Sequence, residues 1–315
     1  MSGSYNTAAG SWALFWNNSG LLNTATGAFA LLQNTFGWNN TATGSYALQQ
    51  NTTGVDNTAD GSGALQNGTG NNNTAIGDVA MLGNATTFST GSNNTATGYS
   101  SLYSYTTGNY NTAAGVQSLY KDTTGGSNTA SGYASLFFNV SGNFNTAIGR
   151  GALYKNTASN NVAVGYQALN QNSNGIYNTA VGTQALAAVT TNSANTAVGY
   201  TALNKSTGAG STAVGENALD NATTGGANIA IGAAAGANVT SGSSNIDIGN
   251  LGAAESNMAQ EQRTTIEQLR LGMARQETEI ATLKETLKEQ AAVIQKVSDR
   301  LTLSRPASQV ALNDK

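Results

Sequence analysis

The sequence predicts a mainly β fold: a parallel β-solenoid over residues 1–250, then an α-helical coiled coil over 251–304 and a frayed tail at 305–315. Three observations carry this. The unit Asn-Thr-Ala-x-Gly, varied at Val162, Ser211, Ile229, Ile246 and Asp247, recurs fifteen times from Asn6 to Asn245, at spacings of 17 residues ten times, 16 three times and 21 once. Fixed columns of Ala and Leu accompany it. The composition then changes abruptly after Gly249: residues 1–250 hold 11 charged residues and residues 251–315 hold 18. Self-similarity at a fixed short period marks a repeat whose core comes from stacking.

Seventeen residues cannot hold two packed helices, and the glycine content opposes helix. The unit fits two short strands and two tight turns per coil. A glycine stands four residues after every motif Asn: Gly10, Gly27, Gly44, Gly61, Gly77, Gly98, Gly115, Gly132, Gly149, Gly165, Gly182, Gly199, Gly215, Gly232 and Gly249. This is the expected structural corner, with positive φ. Asn at the same corner tolerates the left-handed region and can stack its amide on the coil above. Ala two residues on suits a narrow interior. Leu eight residues on (Leu14, Leu31, Leu48, Leu102, Leu153, Leu219) gives one larger apolar contact per coil, preceded by Ala or Ser. A second Asn-Thr-Thr-Gly turn follows in many copies, as at Asn51–Gly54.

The column three residues after the Asn runs from Ala9, Thr26, Thr43 and Asp60 to Ile148, Val164, Val181, Val198, Val214, Ile231 and Ile248. Facing inward, it would give the C-terminal half the stronger core. The 21-residue spacing places four extra residues around Asn84 to Ser89, expected to bulge as a loop. At about 4.8 Å per coil, the repeats make a rod of roughly 70 Å. Polar low-complexity chains are often disordered, but such chains do not hold one Gly in register fifteen times.

In the C-terminal segment apolar residues fall at heptad spacing: Ile266, Leu269, Met273, Ile280, Leu283, Leu287, Ile294, Val297 and Leu301. With Ile266 at position a, Gln262, Gln276 and Gln290 recur in the d column, fixing register at some cost in stability. The heptads predict oligomerisation, and Pro306 marks the helix stop.

The composition excludes much chemistry. The chain has no Cys and no His, so it holds no disulfide, no thiolate zinc site, and none of the commonest general base. No cofactor and no metal is expected. A formal net charge of −3 gives no basic field for nucleic acid. No apolar run reaches the ~20 residues of a membrane span, and no signal peptide is read at the N-terminus. The acids Asp56 and Asp60, or Glu216 and Asp220, fall close together, but solvated turn residues account for them better than glycoside hydrolysis. The Gly-Gly-x-Gly-x-Asp pattern of calcium-binding rolls is absent. The chain reads as a non-enzyme.

Aromatic residues supply the candidate surface. Tyr103, Tyr120, Phe137 and Tyr154 stand nine residues after the motif Asn in four successive coils; Tyr99, Tyr133, Tyr166 and Tyr200 stand five residues after it in alternate coils. Both sets should form vertical ladders. Ladder stabilisation of the stack is favoured over a sugar-stacking stripe. Trp12, Trp16 and Trp38 crowd the first coils with Phe15, Phe29 and Phe36, as a binding tip or a head-to-tail assembly surface.

Asn145-Thr146-Ala147-Ile148-Gly149 and Asn178-Thr179-Ala180-Val181-Gly182, with Leu downstream, resemble the YadA-type head repeats of trimeric autotransporter adhesins and related repeats of phage-type tail fibres. The likeness covers about residues 5–250, and the head-then-stalk order matches. It implies a left-handed β-roll, three chains around one axis with Leu and neighbouring apolar positions facing it, and a trimeric stalk. It implies an adhesive or filament-forming fibre, extracellular, at the cell surface or on a virion tail, with a surface glycan or protein receptor as partner. The departures are the longer unit and the lack of a C-terminal membrane β-barrel or a self-cleaving chaperone domain. An ice-binding solenoid is the alternative of a different class, on Thr24-Ala25-Thr26, Thr41-Ala42-Thr43 and Thr95-Ala96-Thr97.

Overall fold

A computed structural model of the chain describes residues 3–222, 224–249 and 253–303. Two compact units are present, residues 1–250 and 251–315. The first is a parallel β-solenoid. Its fifteen strands run from β1 (Thr7–Ala9) to β15 (Ile246–Ile248) and pair parallel, in chain order, in one sheet. Register is fixed by the repeat: β2 (Thr24–Thr26) places Thr24, Ala25 and Thr26 beside Thr41, Ala42 and Thr43 of β3 (Thr41–Thr43).

Each coil has one three-residue strand, not the two expected from the repeat length. The remaining chain is bent by left-handed residues. In the coil of Asn23 these are Leu22 (φ 59°), Phe29 (φ 60°) and Leu31 (φ 50°), and the same three columns recur along the solenoid. The left-handed residue at the motif corner thus precedes the Asn; Asn39 (φ 58°) and Tyr110 (φ 60°) are examples. A left-handed Leu costs roughly 1–2 kcal/mol. Leu31 is fully buried, which contributes roughly 1.5–3 kcal/mol, and its N–H donates to Ala47 O of the next coil at 3.0 Å. Burial outweighs the strain. The alternating backbone direction lets each coil bond both neighbours: Thr24 N–H donates to Asn40 O ahead (2.8 Å), and Gly27 N–H to Ala9 O behind (2.8 Å).

The core is a stack of small side chains. The strand's central Ala, the Ala or Ser seven residues after the motif Asn, and the Leu after it are buried, as with Ala25, Ala30 and Leu31. Strand geometry alternates faces, so with Ala inside, the flanking residues face out. The Ile and Val column is therefore exposed: Ile148, Val181, Val198 and Ile231 are each 36–43% accessible. This corrects the inward reading of that column. It also corrects the implication that Leu faces a trimer axis, because the Leu side chains are consumed inside their own coil.

Polar ladders complete the interior. Asn40 Nδ2 donates to Asn23 Oδ1 (3.1 Å) and to Gly54 O (2.8 Å), while its backbone N–H donates to the same Asn23 Oδ1 (3.0 Å). Where Ser211 replaces Asn, its Oγ accepts from Asn228 N at 3.2 Å. A second ladder stands eleven residues after the motif Asn: Asn34 Nδ2 donates to Asn17 Oδ1 (2.8 Å) and Asn51 Nδ2 to Asn34 Oδ1 (3.0 Å).

The glycine corner is borne out, with φ from 112° to 146° at all fifteen positions. Conformation is only half of the requirement. A Cβ on Gly132 would lie 2.8 Å from the carbonyl carbon of Gly149 in the next coil. The four-residue insertion also appears where expected: residues 84–88 are exposed, and Asn84 Oδ1 accepts from Thr86 N (2.8 Å) and Thr87 N (3.2 Å).

The second unit contains one helix, α1 (Ala253–Leu303). The heptad residues Ile266, Leu269, Met273, Ile280, Leu283, Leu287, Ile294 and Val297 lie 51–69% exposed on it. The side chain of Leu301 and the tail at 305–315 lie outside the described residues.

Gly132→Ala is expected to destabilise the solenoid by about 3–5 kcal/mol, combining backbone strain and overpacking. Gly249→Ala, at φ 112° but with nothing within 4 Å of its Cβ position, should cost only about 1–3 kcal/mol. Denaturant melts of the two variants check this; equal losses would mean that the close approach of coils does not matter.

Candidate functional site

The solenoid's repeats turn a side chain at one position into a vertical column, so any site is built from neighbouring columns of successive coils. The column nine residues after the motif Asn stacks as expected. Ring centroids lie 5.0 Å apart for Tyr103–Tyr120 and for Tyr120–Phe137, and 5.3 Å for Phe137–Tyr154. Phe138 packs edge-on against Phe137 and Tyr154, and Lys121 Nζ sits 4.5 Å from the Phe138 centroid.

The column five residues after the Asn behaves differently. Its tyrosines occupy alternate coils, a separation of roughly two strand spacings, too wide for ring stacking. Tyr99, Tyr133, Tyr166 and Tyr200 are 43–51% exposed. The coil between Tyr133 and Tyr166 places Arg150 in the same column. Its guanidinium lies 5.6 Å from the Tyr133 centroid and 6.0 Å from that of Tyr166. Sequence reading singled out the tyrosines and passed over Arg150. Its position, five residues after Asn145, was the available signal.

Between the two columns lies a cleft of about 280 Å³ lined by Tyr133, Ala134, Arg150, Gly151, Tyr154, Lys155, Gln167, Asn170 and Gln171. It exists because the column between its walls dips: Ala134 and Gly151 stand where neighbouring coils carry Gln117, Gln167 and Gln184. Asn170 Nδ2 donates to Gly151 O (2.9 Å), and Gln171 Nε2 donates to Asn170 Oδ1 (2.6 Å), so the amide floor is oriented before any ligand arrives.

At the N-terminal end Trp12, Phe15 and Trp16 form one cluster, with centroids 4.4 Å apart for Trp12–Phe15 and 5.0 Å for Phe15–Trp16. Both Trp residues are more than half exposed. Phe29 stacks on Tyr46 at 5.0 Å. Trp38 stands in another column, fifteen residues after Asn23, and is 46% exposed.

Two buried titratable groups stand in the column of the second Asn ladder. Tyr105 fills that column beside the inserted loop; Ser89 Oγ donates to its carbonyl oxygen at 2.6 Å. Its hydroxyl has no hydrogen-bond partner among the described residues, and burial pushes its phenol up. Asp122 follows one coil later. Burial pushes its carboxyl up to about 7, against the opposing hydrogen bonds from Gly125 N (2.8 Å), Asn128 and Asn139.

Among the described residues no group of three or more Cys, His, Asp or Glu could hold a metal ion, and no helix is long and apolar enough to cross a membrane. The chain matches no family model and no curated protein sequence.

Asp122 has a folded pKa above its unfolded value near 3.9. Its charge adds no penalty when both states are protonated, below about pH 4. The penalty grows as pH rises to about 7 and is constant above, on the order of 4 kcal/mol. Asp122→Asn, which restores the ladder, should therefore stabilise the protein by roughly 2–4 kcal/mol at pH 8 and hardly at all at pH 3.5. Denaturant titrations at both pH values measure this; an equal gain at both would contradict it.

Proposed function

We propose that the chain is the head and stalk of a non-enzymatic homotrimeric fibre that acts outside the cell, in surface attachment or filament formation. The single observation that carries this is the exposed apolar column on the solenoid sheet. From Ile148 through Val164, Val181, Val198 and Val214 to Ile231 and Ile248, one strand position after another presents Ile or Val to solvent. A side chain exposed to this degree gains roughly 0.5–1 kcal/mol when covered, and the gain repeats with every coil. The heptad stripe of α1 is a second unlike surface with the same need. Copies of the same chain satisfy both at once, because both stripes run along the repeat direction of their element.

The resemblance to YadA-type heads supports three copies rather than two. With the Leu column buried, the exposed sheet face takes its place as the proposed trimer axis. Isoleucine and valine outward, alanine inward, is the arrangement such packing needs. The lack of reactive side chains in the rod fits a structural role, and the exposed Trp12, Phe15 and Trp16 cluster fits head-to-tail growth or a receptor contact at the fibre tip. A tail-fibre role in receptor binding uses the same architecture.

An ice-binding role is the second reading. Thr24, Thr26, Thr41 and Thr43 face solvent on adjacent strands, but Asp60 interrupts the array in the next strand. A thermal-hysteresis measurement separates it.

In solution the full chain should have three times the 31.9 kDa chain mass. Val181→Lys with Val198→Lys should raise the concentration at which the assembly dissociates at least tenfold while the solenoid stays folded. Sedimentation equilibrium reads both. A monomer at micromolar concentration would contradict the proposal.

A further inference from the structure

We propose that the cleft between the aromatic columns of the coils beginning at Asn128, Asn145 and Asn161 binds a carboxylated saccharide. Arg150 meets the carboxylate, and the neighbouring tyrosines meet the sugar ring. This deepens the adhesive reading and rests on it for its biological use.

The charge distribution is the first support. The solenoid has four basic residues, and three of them fall within a span of three coils: Lys121 in the coil of Asn111, and Arg150 and Lys155 in that of Asn145. Between Asn111 and Ala194 the only acid is Asp122, which is buried. Ion pairs among the described residues join Lys205 to Asp220 (3.5 Å) and Lys288 to Glu285 (3.3 Å), and neither involves Arg150 or Lys155. The cleft is thus a local positive field on an otherwise nearly uncharged rod.

Its construction is the second support. Tyr133 and Tyr166 hold the guanidinium of Arg150 between them. Arg presents five N–H donors and no acceptor. A guanidinium positioned on ring faces keeps its edge available for a carboxylate, with little rotamer entropy left to lose. Lys155 supplies a second cation on the opposite wall. Gly151 (φ 65°) leaves the floor open, and its carbonyl orients Asn170. Small-molecule sites combine a concave, mostly apolar surface with a few placed polar groups, and about 280 Å³ holds one pyranose ring with its substituents. Tyr133 and Tyr154, both in the cleft lining, offer apolar ring surface to a sugar ring.

The site uses columns five to ten residues after the motif Asn, whereas the proposed trimer face uses the strand positions one and three after it. Both therefore coexist in one assembly. Three equivalent clefts per trimer would convert weak single-site binding into avidity for a polymer.

Calorimetric titration of the full chain tests this with three probes: tetragalacturonate, its methyl ester, and a sulfated tetrasaccharide free of carboxylate. Tetragalacturonate should bind once per chain, and the ester at least tenfold more weakly. Arg150→Gln should raise the dissociation constant at least tenfold. So should Gly151→Gln, which fills the cleft; Gln117, Gln167 and Gln184 already hold this column at φ 53–57°, so that variant is expected to fold, which melting by circular dichroism checks. Lys205→Gln should change nothing. Equal binding of ester or sulfated probe, no binding of tetragalacturonate at millimolar concentration, or an unchanged constant in both cleft variants would each overturn the site. Stoichiometry is read per chain, so failure of the cleft is separate from failure of the trimer, which the assembly mass reports.

Discussion

The close, repeated approach of one coil to the next is the constraint on which the rest of the structure depends. At each corner but the last, a glycine sits against the carbonyl of the next corner glycine, with no room for a Cβ. The motif Asn then takes two roles that water would otherwise fill. Its Oδ1 accepts the next coil's backbone N–H, and its Nδ2 reaches a glycine carbonyl. A buried polar group left unpaired costs about 1–3 kcal/mol, so a ladder of paired amides specifies register more sharply than small apolar side chains can. The interior is then narrow enough that Ala and one Leu per coil fill it.

That constraint explains why the chain tolerates so many left-handed non-glycine residues. Each would be unfavourable alone. In the stack, such residues turn their amides toward a neighbouring coil, as at Leu22, Phe29 and Leu31, and in the Leu31 column burial offsets the strain. Stability is nearly one-dimensional as a result, a sum over coils and the contacts between them. Departures from the pattern are local: residues 84–88 leave the solenoid as an exposed loop, and Tyr105 occupies the space of the interrupted Asn ladder.

Much of this was legible in the sequence. The period gave the parallel solenoid, the invariant Gly its positive-φ corner, and the heptads a long helix. The errors came from not carrying strand alternation through. Once Ala is placed inside, the residues on either side must face out, so Ile148 and Val181 belong to the surface. The second strand was a guess from length, and the left-handed Leu31 and Phe29 that replace it have no signature, because bulky apolar residues are poor indicators of that conformation. The tyrosines were visible as columns, but Arg150 was not, since a cation–π contact depends on which residue occupies the same position one coil away. Asp122 stands eleven residues after Asn111, where other coils carry Asn, and only the structure shows that this column faces inward.

Function follows the same geometry. A stack multiplies whatever occupies one position, so an apolar residue becomes a stripe that other copies can cover, and a missing side chain becomes a cleft. Residue-resolved hydrogen exchange tests the stack most directly. The ladder predicts slow exchange at the amides of the residue after the motif Asn, the corner Gly and the buried Leu, as at Thr24, Gly27 and Leu31, recurring in every interior coil. Fast exchange throughout residues 6–249, or protection that ignores the repeat period, would contradict it.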